Sequence, residues 1–170
     1  MNVALTGFMG AGKSTVGRRL ARMLDLRFVD LDAEIARAHG PIPEIFAREG
    51  EAQFRRWEHE SLAHLLGNAG QVIAVGGGAV LDPANRALLR KNAYVVHLSI
   101  SPEHAYQRVA HRTHRPVLGE VPTLERVREL MAERADTYAD NDFSVGVDGS
   151  SAGRIAGAIA RWYRSRERAT

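Results

Sequence analysis

Gly7, Gly12, Lys13 and Ser14 satisfy the pattern G-x-x-x-x-G-K-[ST] within "GFMGAGKST". Glycines there permit a tight turn and close backbone approach. Successive N–H groups can then surround phosphate oxygens, helped by the positive end of a following helix. Lys13 is placed to reach the β- and γ-phosphates, and Ser14 to offer its hydroxyl to Mg²⁺. The stretch predicts binding of ATP or GTP through Gly10, Ala11, Gly12, Lys13, Ser14 and Thr15. It does not identify an acceptor.

Four further groups could act on an acceptor. Asp30 and Asp32 sit near a predicted strand end, where open α/β sheets bind ligands. One could hold Mg²⁺ through water while the other takes or orients a hydroxyl proton; alternatively both are solvated turn acids, or Asp32 caps the next helix. Arg55 and Glu58 are i, i+3 neighbours, so the acid can steady a guanidinium whose planar fork suits a carboxylate; an ordinary surface ion pair has the same spacing. Gly76, Gly77 and Gly78 follow an apolar run and fit either a close backbone approach or a simple turn. Arg108, Arg112, Arg115 and Arg134 could face phosphates or acceptor, and some of them must be surface residues. The seven histidines form no metal-ligating set, and His97, inside a predicted strand, reads as packed or hydrogen-bonded.

The elements that position these groups alternate. Val3–Leu5 reads as a buried strand, followed by a helix from Ser14 with Val16, Leu20, Met23 and Leu24 on one face. Residues 26–32 read as a strand ending in the two carboxylates, and Gly40 and Pro41 as a break. Residues 51–66 read as a helix with Phe54, Trp57, Leu62, Leu65 and Leu66 on its apolar side. Strands follow at 72–75 and 94–98, with a short helix from Pro83 to near Arg90 between them. Ser101 and Pro102 start another helix. Residues 111–122 read as an exposed loop or lid. A helix capped by Thr123 then runs through residue 139, a weaker strand covers 143–147, and a last helix covers about 151–163 before a frayed basic tail. Strands alternating with helices predict an α/β fold with a mostly parallel sheet and helices on both faces.

With 170 residues, 45% of them hydrophobic, the chain fits a single domain with an ordinary core. It contains no cysteine, which excludes disulfides and thiolate chemistry. No apolar run is long enough for a membrane span, and a cytoplasmic protein is expected. The net charge is +3, but no block of five or six basic residues suggests nucleic acid. A DxxG loop and an NKxD segment, which a GTPase switch would need, are both missing.

Taken in order, "GFMGAGKSTVGRRLA", "FVDLDAEI", "EIFAREGEAQFRRWE", "VIAVGGGAV", the "RP" of "RPVL" and "MAERADTY" resemble the shikimate kinase family over roughly residues 3–140. The resemblance implies a three-layer P-loop kinase fold with a five-stranded parallel sheet. It also implies a substrate-binding subdomain at about 31–62 and a mobile lid at about 110–122. Its implied activity is transfer of the γ-phosphoryl of ATP to the 3-hydroxyl of shikimate, on the route to chorismate, with Mg²⁺ as cofactor. Shikimate and ATP are the expected partners, with no nucleic acid or membrane, and a monomer is expected. By the same resemblance Lys13 contacts the transferring phosphate, Ser14 binds Mg²⁺ and Asp30 reaches it through water. Asp32 binds the acceptor hydroxyls and can act as base. Arg55 and Arg134 hold the carboxylate, Glu58 supports Arg55, and Gly77 and Gly78 supply backbone contacts. Arg115 lies near the phosphates and Arg108 beside the nucleotide.

Three stretches depart from the family pattern. "RPVL" replaces RPLL, "GPIPE" replaces a G-x-S-I opening, and "DGSSAGR" places Arg154 out of step with the adenine-side arginine of some relatives. A kinase for another anionic polyol such as gluconate, or a non-catalytic ligand sensor, would share much of this sequence. The presence of Lys13, Asp32 and Arg115 favours catalysis.

Overall fold

The computed structural model describes residues 1–110 and 122–169. Five strands form one all-parallel sheet: β1 (Asn2–Thr6), β2 (Arg27–Asp30), β3 (Gln71–Ala74), β4 (Ala93–Ser99) and β5 (Phe143–Gly146), in the order β2-β3-β1-β4-β5. β1 is central and buried along its whole length, which is why it reads as an unbroken apolar run rather than an alternation. The register aligns Asp30 with Ala74, Leu5 with Ala74, and Thr6 with His97. The carboxyl ends of four strands therefore open at one level, the edge where ligands bind in such sheets.

Eight α-helices surround the sheet among the described residues: α1 (Lys13–Leu24), α2 (Leu31–His39), α3 (Ile42–Leu66), α4 (Pro83–Asn92), α5 (Pro102–Val109), α6 (Leu124–Glu133), α7 (Ala135–Ala139) and α8 (Ala152–Glu167). α1 packs beside α8, α2 against α3, α3 against α4 and α5 against α6. Predicted caps hold: Ser101 and Thr123 accept from the N–H groups of His104 and Arg126.

Several expectations are corrected. α1 buries Val16, Gly17, Leu20 and Ala21, while Met23 is 42% exposed. Gly17 is needed there, because a Cβ would lie 2.5 Å from the Phe28 ring. The strand expected over 26–32 stops at Asp30, whose side chain accepts from the Ala33 N–H and so caps α2. Asp30 thus lies at the strand end and Asp32 in the first turn of α2. α3 begins at Ile42, nine residues before the predicted helix, and bends at Gly50 (φ 82°, ψ 167°), a conformation open mainly to glycine. Pro41 and Pro43 occupy its start, where no intrahelical N–H is lost. The helix expected through residue 139 divides at Arg134 into α6 and α7. The tail expected to fray is helical as far as Glu167. The expected lid, with His111, Arg112, His114 and Arg115, lies outside the described residues.

Candidate functional site

The loop between β1 and α1 depends on its glycines. Gly10 (φ 84°) and Gly12 (φ 90°) adopt left-handed backbone, and a Cβ on Gly7 would lie 2.7 Å from the Leu98 carbonyl. Gly12 leads into α1 with no side-chain cap and no acid in the first turn. The helix therefore turns free N–H groups and its positive end toward the loop. Lys13 Nζ donates to the carbonyls of Gly7 (2.7 Å) and Phe8 (3.2 Å), which holds the ammonium over the loop. From α5, Arg108 donates to the Gly10 carbonyl at 2.8 Å. These donors form a cradle for a polyphosphate.

Ser14 Oγ lies 2.5 Å from Asp30 Oδ2, joining the start of α1 to the end of β2. No group of three metal-ligating side chains occurs among the described residues. A hydroxyl and one carboxylate fit Mg²⁺, which keeps several waters and takes other oxygens from a nucleotide.

Across the opening, the turn Gly76–Gly78 leaves β3. A Cβ on Gly76 would meet Asp32 Oδ1 at 2.8 Å and Glu58 Oε1 at 3.1 Å; one on Gly78 would meet Arg55 Nη2 at 2.7 Å. Close approach, not positive φ, is what glycine provides at both positions, and the atoms approached are this protein's own side chains. Arg55 pairs with Glu58 at 2.6 Å and with the exposed Glu51 at 3.3 Å. Burial acts to lower the Arg55 pKa, but Glu58 and Glu51 outweigh it and the net direction is upward. Burial pushes the Glu58 carboxyl above its usual value; Arg55 opposes this, and the charges of Asp32 and Asp82 add to it. On the other side of the turn, buried Arg134 reaches the Gly77 carbonyl at 3.4 Å and lies over the Phe8 ring. The break between α6 and α7 presents it there.

One cavity of about 760 Å³ joins the two halves. Gly10, Ala11, Gly12, Lys13, Ser14, Thr15, Asp30, Asp32, Arg55, Glu58, Gly77, Gly78, Arg108 and Arg134 all line it. Arg112 and Arg115 are the expected candidates outside the described residues. Ser150, Ala152 and Ile155 also line the cavity, and Arg154 is not among its lining residues. Ile42, Pro43, Phe46 and Phe54 form an apolar wall that the spacing of polar residues did not reveal. Tyr138 was also missed: its hydroxyl donates to the Gly77 carbonyl at 2.7 Å, and the one hint in sequence is its position four residues after Arg134. His97 is packed, as expected, stacked on the Tyr138 ring. Burial, with the charge of Lys13 adding, lowers its pKa.

The arrangement suits direct phosphoryl transfer to an anionic hydroxyl compound: a glycine loop with Lys13, Ser14 and Asp30 at one end, a carboxylate and two arginines at the other. The shikimate kinase family model matches residues 9–164. A shikimate kinase of Geobacter sulfurreducens is 46% identical over 98% of this chain and 92% of its own length. One from Geobacter metallireducens is 43% identical over 97% and 93%. Among solved structures, shikimate kinase from Acinetobacter baumannii in complex with shikimate superposes with a TM-score of 0.92 at 36% identity, covering 97% of this chain and 93% of that one. A deoxyadenosine kinase from M. mycoides, at 17% identity, TM-score 0.64 and coverage of 97% and 99%, shares the fold.

Proposed function

This chain belongs to the shikimate kinase family, and from that premise we propose how its cavity divides the work. The protein is an ATP-dependent kinase that transfers the γ-phosphoryl of ATP to the 3-hydroxyl of shikimate, giving shikimate 3-phosphate and ADP. ATP lies along the loop of Gly10, Ala11, Gly12, Lys13, Ser14 and Thr15, with Arg108 beside it. Shikimate lies against the Gly76–Gly78 turn, its carboxylate between Arg55 and Arg134 and its hydroxyls toward Asp32. The substrate-binding subdomain is residues 31–62 and the lid is residues 110–122. A cytoplasmic monomer acting on shikimate and ATP, with no nucleic-acid or membrane partner, is the corresponding assignment. The exposed large apolar side chains among the described residues are few, namely Met1, Met23 and Leu81, which supports the monomer. No described helix is long and apolar enough to cross a membrane.

In the proposed step the shikimate 3-oxygen attacks the γ-phosphorus in line. The new O–P bond forms as the bond to the ADP oxygen breaks, and Asp32 orients the hydroxyl and accepts its proton. Such transfers have loose transition states, so aim and charge neutralisation outweigh strong activation of the nucleophile. Lys13, the loop N–H groups and, by its lid motif, Arg115 offset the charge on the moving group. Mg²⁺, held by Ser14 and through water by Asp30, would neutralise phosphate charge. Glu58 keeps the Arg55 guanidinium aimed across the turn.

The convergence of Asp32, Arg55 and Arg134 on one glycine turn, facing Lys13 and Ser14 across a single cavity, carries this reading. It is tested by shikimate-dependent ADP release with mass detection of the product. Arg55→Ala should raise the KM for shikimate at least about 10-fold, the loss of one charge-assisted carboxylate contact, with little change in the KM for ATP. An unchanged dependence on shikimate would overturn the site assignment.

A further inference from the structure

We propose that the Tyr138 hydroxyl is a positioning group for shikimate. By occupying the Gly77 carbonyl, it keeps the Arg134 guanidinium available to the substrate carboxylate. The inference rests on the assignment of Arg134 to that carboxylate.

Two donors meet at the Gly77 carbonyl. The neutral Tyr138 phenol holds it at 2.7 Å, whereas the charged Arg134 nitrogen stands at 3.4 Å. A charged donor ordinarily makes the shorter bond. Here the order is reversed, so the guanidinium is held back from its own turn. Without the phenol, that half-buried carbonyl on the cavity wall would keep Arg134 as the charged donor within reach. Arg134 would close on it, since a charged donor makes the shorter and stronger hydrogen bond. Drawn onto the carbonyl, the planar fork would be turned away from the orientation in which two of its N–H groups meet the substrate carboxylate.

The remaining contacts fix Tyr138 in this task. It is buried, and its ring stacks on His97 of β4 at 5.0 Å with the planes 22° apart. Its backbone N–H donates to the Arg134 carbonyl at 3.0 Å. Tyrosine and arginine are thus tied through one helical turn, and the hydroxyl sets the distance between that turn and the glycines. The far end of the glycine segment has a separate anchor. Buried Asn85 donates to the Ala79 carbonyl at 2.9 Å, and its Oδ1 lies 2.7 Å from His59 Nδ1. Removing the phenol oxygen alone therefore leaves the ring stack and the exit of the turn in place.

The experiment is a double-mutant cycle on Tyr138→Phe and Arg134→Ala, read by KM for shikimate, KM for ATP, kcat and thermal midpoint. Tyr138→Phe should raise the KM for shikimate about 3- to 10-fold, the range of one net hydrogen bond, while the KM for ATP stays within about twofold and kcat is largely kept. In the Arg134→Ala background the same substitution should have almost no further effect, because its action runs through that arginine. A purely structural tyrosine would lower the thermal midpoint and the active fraction without separating the two KM values, and that result overturns the proposal. So does an undiminished Tyr138→Phe effect when Arg134 is absent. If Arg134→Ala itself leaves the KM for shikimate unchanged, the carboxylate assignment fails; if Arg134→Ala raises it and Tyr138→Phe does not, only the positioning role fails.

Discussion

Replacing Gly76 by alanine would put a methyl group 2.8 Å from Asp32 Oδ1 and 3.1 Å from Glu58 Oε1. Ordinary contact begins at 3.4 Å, so the Asp32 carboxylate must retreat by about 0.6 Å, more than the ~0.5 Å tolerance of a catalytic constellation. Glu58 cannot readily absorb the strain: it is buried and tied to Arg55 at 2.6 Å. A displacement near 1 Å can cost on the order of 100-fold in rate, and we expect kcat to fall about 10- to 100-fold. The Lys13–Ser14 side is untouched, so nucleotide affinity should stay within about twofold. Gly78→Ala is the informative comparison. Its methyl would strike Arg55 Nη2 at 2.7 Å, so its defect should fall mainly on the KM for shikimate. At Gly77 a Cβ meets no protein atom closer than 3.6 Å, making that the mildest change to the apo fold. Shikimate-dependent ADP release for the three variants, with nucleotide binding by calorimetry, separates these effects. If Gly76→Ala retains wild-type kcat, the placement of Asp32 against the turn does not govern catalysis and the reasoning fails.

Gly17→Ala, deep in α1, should destabilise the fold by about 1–3 kcal/mol through overpacking against Phe28 and Leu5; urea denaturation would register it, and an unshifted midpoint would count against it. Ser14→Ala should raise the Mg²⁺ concentration for half-maximal activity by about 10-fold, measured at fixed ATP; an unchanged requirement would remove Ser14 as a ligand. The pH dependence of stability tests the buried acid. Glu58 binds its proton more tightly folded than unfolded, so its contribution is fully present below its ordinary value of about 4.5 and is lost as pH rises through the raised folded value. Wild type should therefore lose stability relative to Glu58→Gln as pH is raised from about 4.5 toward neutral. Denaturation midpoints across that window would show it, and the opposite slope would mean that Arg55 outweighs burial.

The strand positions, several caps and the phosphate loop were legible because each is a local property of the chain. Val3–Leu5 is apolar because a central parallel strand has no wet face, and "GAGKS" is a backbone shape that few other residues can take. Contacts across the sheet were less legible. Asp30 and Asp32 were read together near one strand end, with a helix start at Asp32 left open; the chain turns helical at Leu31, so one binds Ser14 and the other meets the glycine turn. The division of one helical pattern at Arg134 left no periodic mark, because Glu133, Arg134 and Ala135 at the break are all good helix formers and the break serves a contact 57 positions away. Tyr138 and the apolar wall of Ile42 and Phe46 were missed for the same reason.

The sequence by itself determined that this chain cradles phosphate and carries acids and arginines suited to an anionic alcohol, since those depend on residue type and short spacing. Tertiary structure alone decided that Asp32, Arg55 and Arg134 share one glycine turn, which side chains forbid a methyl there, and which arginine is held back by a phenol. Such relations join segments distant in the chain, and only packing brings them within hydrogen-bonding range.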